Sequence, residues 1–205
     1  LQIVLQFYVT KSGDFLGTTQ CNACAIDARS HLAAAVAELH ERVDRAMSLE
    51  NMTTVDDYRR HLRCHAQVVL PLEKALETHQ HASAIPDVAR RWRSTALADD
   101  LRALGEPHSE HLKTPIGGSL AAIAGAMYVL EGSRLGAKVL LRQLGAQGGQ
   151  DLPVKFFSHG ASDRLWSSFV NWLNSVEWSP LEISEMCETA RAVFQTYLVS
   201  CEDGA

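Results

Sequence analysis

The 205-residue sequence has no long hydrophobic run: its longest apolar stretches are short and interrupted by glycine or charge. That excludes a helical membrane span, which needs about 20 apolar residues in a row. It has no excess of positive charge either. The formal net charge is −5, so the basic face of a nucleic-acid-binding domain is not expected. A disulfide framework is missing as well. The five cysteines (Cys21, Cys24, Cys64, Cys187 and Cys201) are odd in number and scattered, a pattern that fits a reducing cytoplasm. Cys21 and Cys24 form a CxxC with no second pair and no βαβ context, so it carries neither a zinc nor a redox assignment. There is no HExxH, no Walker loop, no GxGxxG and no GxSxG, which removes the usual signatures of zinc proteases, nucleotide binders and serine hydrolases.

What is present is a core. Hydrophobic residues make up 46% of the chain, enough for one domain of this length. Residues 1–26 lack helical periodicity and the features of a signal peptide. They are expected to form a poorly ordered N-terminal extension before a single domain at 27–205. From there the periodicity is helical almost throughout. A first helix over 27–48 carries Leu32, Val36, Leu39, Val43 and Met47 at helical spacing. Thr54 with Asp57 starts a second, whose interior Pro71 should kink it. Pro86 is expected to open a third that closes at Gly105. A fourth covers 118–144 and a fifth 162–176. Ser179-Pro180-Leu181-Glu182 is a capping box with proline at the first helical position, starting a sixth. Six helices and no convincing strand predict an all-α bundle.

Two features could carry chemistry. His40 lies on the apolar stripe of the first helix, with Asp44 one turn later. A carboxylate there can accept one ring N–H, fix the tautomer and raise the basicity of the other nitrogen; the bland alternative is a satisfied core histidine. The second feature is the fourth helix, where Gly125, Gly132 and Gly136 share a face. Each costs about 1 kcal/mol relative to alanine, so something needs the backbone close. Spacing alone favours a tightly packed neighbouring helix, with a flat ligand against bare backbone as the other answer. His61 and His65 are four residues apart on the second helix, with no third ligand at a helpful spacing for zinc. His79 and His81 fall at its polar end, where solvation is expected. Glu131, beside Gly132, is a lone carboxylate, expected to be solvated or paired.

Taken together, these segments resemble the heme oxygenases. LAAAVAELHERVD (32–44) is similar to that family's proximal segment, and YVLEGSRLGAKVL (128–140) to the distal-helix motif of its bacterial members. RRWRSTALADDLRALG (90–105), FVNWLNSV (169–176) and ARAVFQTY (190–197) resemble the connecting and closing helices. The resemblance runs over about 27–200 in unbroken order. It implies a heme oxygenase-like helical bundle that binds heme as substrate and cofactor and cleaves it at a meso carbon to biliverdin, CO and ferrous iron. His40 would be the axial iron ligand and Asp44 its partner. Gly132 and Gly136 would lie over the heme face, with Ser133 where mammalian members have an aspartate. Tyr128 would reach a propionate, and Phe194 would belong to the wall. O2 would be consumed, with electrons from an external reductase or ferredoxin, since no flavin or nicotinamide motif is seen. The branch accompanying bacterial phytochromes is the nearest, which would make a phytochrome the biliverdin acceptor.

Ala33 and Val36 depart from the family pattern, where a basic residue and a threonine are common. Arg29, Lys113, Arg134 and Lys138 are the candidates to compensate. The alternatives are a heme-binding protein without turnover, a thiaminase-like enzyme with a cysteine nucleophile on a related helical fold, and a purely structural bundle.

Overall fold

A computed structural model describes residues 27–48, 54–106, 116–146 and 151–203. The expected N-terminal extension, Cys21 and Cys24, and Lys113 lie outside the described residues. Among those described are seven α-helices, two short 3-10 turns and no strand. We label the helices α1 (Ala28–Ala46), α2 (Val55–Glu77), α3 (Ser94–Ala103), α4 (Leu120–Ala146), α5 (Lys155–Ser158), α6 (Leu165–Ser175) and α7 (Pro180–Asp203).

The starts of α1, α2, α4 and α7 are written locally. Asp27 caps α1 by accepting from the Ser30 amide. Thr54 and Asp57 close a reciprocal capping box on α2, with Asp57 N donating to Thr54 Oγ1 at 3.1 Å and Thr54 N to Asp57 Oδ2 at 2.9 Å. Ser119 Oγ accepts from Ala122 N at 3.0 Å to start α4. Ser179 and Glu182 do for α7 what Thr54 and Asp57 do for α2. Pro71 sits inside α2, which stays one continuous helix.

The third helix departs from expectation. Pro86 does not open it; 3-10 turns occupy Ala82–Ala84 and Val88–Arg90, and Asp87 takes a left-handed φ of 54°. The helix begins at Ser94 because its cap comes from another element. Glu73 Oε2 on α2 accepts from Arg93 N at 2.7 Å, Ser94 N at 2.8 Å and Ser94 Oγ at 2.6 Å. At the other end Gly105 adopts φ 73°, and Glu106 N reaches back to Leu101 O at 2.9 Å, a left-handed C-terminal motif. The expected fifth helix is two. Short α5 is held by Asp100, which accepts from Lys155 N and Phe156 N at 3.1 and 2.8 Å, and α6 follows from Leu165.

Helix α7 is the central post: α1, α2 and α4 all pack on it. Helix α4 also meets α5 and α6. The α4–α7 crossing is close. A Cβ built on Gly125 would lie 2.2 Å from the Met186 carbonyl oxygen, so only glycine fits there. Helices α1 and α4 make no extensive contact with each other, although both lean on α7. A cavity lies between them. No helix among the described residues is long and apolar enough to cross a membrane.

Candidate functional site

A cavity of about 240 Å³ lies between α1 and α4, closed by α2, α5 and α7. Helix α1 contributes His40, Val43, Asp44 and Met47; α4 contributes Tyr128, Gly132, Ser133, Gly136 and Leu140. His61 and His65 come from α2, Phe156 and Phe157 from α5, Phe194 and Tyr197 from α7, and Arg93 from the residue before α3. All seven residues singled out from the sequence (His40, Asp44, Tyr128, Gly132, Ser133, Gly136 and Phe194) therefore border one space.

The His40 ring is oriented by two contacts. Nδ1 lies 3.1 Å from Asp44 Oδ2, one helical turn away, and the Phe194 ring meets it edge-on at 5.5 Å between centroids. The His40 side chain is 20% exposed. On α4 the glycines divide. Close helix packing holds at Gly125, but at Gly136 no atom of the described residues beyond the helix's own turn lies within 4 Å of a would-be Cβ. The packing favoured from spacing is thus corrected at Gly136, whose bare backbone faces the cavity. Gly132, one turn earlier, is buried on the same wall. Ser133 Oγ donates to Leu130 O at 2.7 Å and accepts from Arg93 Nη2 at 2.8 Å. Tyr128 is buried, with its ring 5.6 Å from that of Trp166.

Sequence reasoning did not find the inner end of the cavity. His61 and His65 stack edge to face with centroids 5.1 Å apart and pack on Phe157. His65 Nδ1 is 3.2 Å from the Tyr197 hydroxyl. Burial, helped by Arg60, pulls the His61 pKa down to about 4. Burial, then His61 and Arg93, holds His65 well below the ordinary histidine range. Both imidazoles are therefore neutral at pH 7. Arg93 is 2% exposed, sits 4.7 Å over the Phe156 ring and donates to Leu130 O at 2.9 Å. Buried arginines are rare unless paired, so the RRWR run was the one available signal. His79 and His81 are half-buried, and His79 Nε2 lies 3.2 Å from Gly117 O.

Of the basic residues proposed to compensate for Ala33, Arg134 is committed elsewhere. It is buried, 3.0 Å from Glu131 Oε1, and does not line the cavity. Arg29 and Lys138 are half-buried outside the lining. Cys64 and Cys187 are buried, and among the described residues no cysteine lines the cavity.

The family model for heme oxygenase matches residues 27–203. The chain belongs to the heme oxygenase family. A curated heme oxygenase of Xanthomonas campestris pv. campestris (strain 8004) is 36% identical over 89 residues, which is 43% of this chain and 53% of that protein. The match thus spans about half the length of that heme oxygenase. Among solved structures, heme oxygenase from Neisseria meningitidis, crystallised with NO and CO bound, superimposes with a TM-score of 0.74. It is 23% identical and covers 87% of this chain and 91% of its own. The all-α fold is therefore that of the heme oxygenases.

Proposed function

We propose that the protein binds heme in the α1–α4 cavity through His40. In this reading it cleaves the macrocycle at a meso carbon to biliverdin, CO and ferrous iron, with O2 and electrons from a separate reductase or ferredoxin. A phytochrome is the biliverdin acceptor that the sequence motifs suggest. The observation that carries this reading is the pairing of an oriented histidine on α1 with open space among the described residues over Gly136 on α4, facing one cavity.

The residues present fit the group. Asp44 lies 3.1 Å from Nδ1 of His40, a partner that would leave Nε2 to hold the iron and make that nitrogen more basic. Gly132 and Gly136 present backbone alone, so a flat macrocycle can approach the helix closely. When bound, heme supplies both the iron that activates O2 and the ring carbon that is oxidised. The protein positions and tunes. Phe194, Phe157 and Leu140 provide apolar walls. His61 and His65 provide neutral hydrogen-bonding groups within them. Arg93 holds the Ser133 hydroxyl, whose own proton is directed at Leu130 O.

The test is to add hemin to the purified chain, record the Soret band, then supply O2 and a competent reductase with catalase present. A histidine-type spectrum decaying to a biliverdin band supports the reading. A stable spectrum without decay leaves a heme-binding protein, and no Soret shift sinks both. His40→Ala is expected to lose the histidine-type spectrum and most turnover. An unchanged spectrum in that variant would move the ligand to another histidine, with His65 the next candidate.

A further inference from the structure

The turn of α4 that carries Gly132 is gripped from behind by buried charge. Residues 131 and 134 lie roughly opposite 132 and 136 on a helix of 3.6 residues per turn, so they face away from the cavity. Glu131 is 1% exposed. Its Oε2 accepts from Arg91 Nη1 at 2.6 Å and its Oε1 from Arg134 Nε at 3.0 Å. Arg134 Nη2 returns to Arg91 O at 2.6 Å. Each guanidinium also reaches a third element. Arg91 donates to Pro86 O at 2.7 Å and to Leu165 O, at the start of α6, at 2.9 Å. Arg134 donates to His159 O at 3.0 Å. One carboxylate thereby ties α4 to the 3-10 segment and to the loop before α6.

Stability alone is a poor account of this cluster. Buried ion pairs can often be replaced by apolar residues of similar volume without loss, whereas removing one partner leaves an uncompensated charge. What such a cluster can supply instead is a fixed geometry. It sits at the place where α4 is least able to hold its own shape, because glycine is the poorest helix former after proline. The next contacts along the turn point the same way: Leu130 O and Ser133 Oγ are both held by Arg93 Nη2.

We propose that Glu131 is a positioning residue, acting through Arg91 and Arg134, that fixes the Gly132–Gly136 backbone over the cavity and so selects which edge of the macrocycle is oxidised. This rests on the heme-cleaving reading given above. Glu131 touches no substrate; its effect passes through the height and tilt of the turn beside it.

The experiment compares Glu131→Gln with the wild-type chain in hemin titration, the absorption spectrum of the ferric complex before any turnover, thermal melting and the biliverdin isomers after turnover. Hemin affinity and the histidine-type Soret band are expected to hold, since His40 stands on α1. The spin-state bands of the ferric complex and the isomer ratio are expected to change. Turnover should fall by roughly 10- to 100-fold, the scale of a misplacement near 1 Å. If Gln at 131 prevents folding, Arg134→Gln carries the test, because it keeps the Arg91–Glu131 pair; the same changes are expected there. A lower melting temperature with unchanged spectrum and isomer ratio would overturn the proposal and leave the cluster as scaffold. No hemin binding, or binding without cleavage, by the wild type would sink the cavity's functional reading and this inference with it.

Discussion

Two glycines on one helix face perform opposite tasks. Gly125 faces the α7 backbone, where a methyl group would strike the Met186 carbonyl oxygen at 2.2 Å. Gly136 faces cavity, where a methyl group meets no described residue beyond its own helix turn within 4 Å. Gly125→Ala should therefore cost about 1–3 kcal/mol or more, the scale of overpacking. Gly136→Ala should gain up to about 1 kcal/mol from helix propensity. Urea melts of both variants check the pair. A stable Gly125→Ala would mean the α4–α7 crossing is looser than its geometry indicates. Gly136→Leu extends the argument: stability is kept while hemin is shut out, and full hemin binding would show that the bare face is not used. Glycine spacing could suggest that the backbone is needed close. It could not say which glycine meets a helix and which a cavity, because that depends on α7, more than forty residues later in the chain.

At the scale of the element, α2 is the most informative helix. Its start was legible, since Thr54 and Asp57 cap it with neighbours only. Its inward histidines were visible as a pair, but not as part of the cavity, because Phe156, Phe157 and Tyr197 arrive from distant segments. The start of α3 was misread for the same reason. Its cap is the Glu73 carboxylate, 20 residues earlier, so Pro86 offered the only local signal. The buried imidazoles give α2 a pH signature. Folding lowers the pKa of both His61 and His65, so the unfolded chain binds protons that the folded one refuses. Their contribution to stability is complete above about pH 6.5, the ordinary histidine value. It is lost as pH falls toward 4, the value to which burial pulls His61. Melting temperature should fall through this window. His61→Gln should shallow that slope; an unchanged slope would mean that His61 is protonated in the fold.

At the scale of the whole molecule, the cavity depends on residues that never touch it. Asp100 is fully buried on α3, and its carboxylate holds the first two amides of α5, which brings Phe156 and Phe157 to the wall. Burial raises the Asp100 pKa and the two N–H donors oppose that rise. Asp100→Ala leaves two backbone donors without their acceptor, a loss of about 1–3 kcal/mol. Thr54→Ala, which removes the α2 cap at the far end of that helix from Glu73, should cost about 1 kcal/mol. If the loss of stability alone governed the site, the two variants would weaken hemin binding in proportion to their melting temperatures. If Asp100 instead acts through α5, Asp100→Ala should weaken hemin binding several-fold while Thr54→Ala leaves it at the wild-type value. Titrating hemin well below both melting temperatures separates the two. Equal affinities would mean that Phe156 and Phe157 hold their places without the Asp100 cap, and that the wall is fixed by its aromatic packing alone.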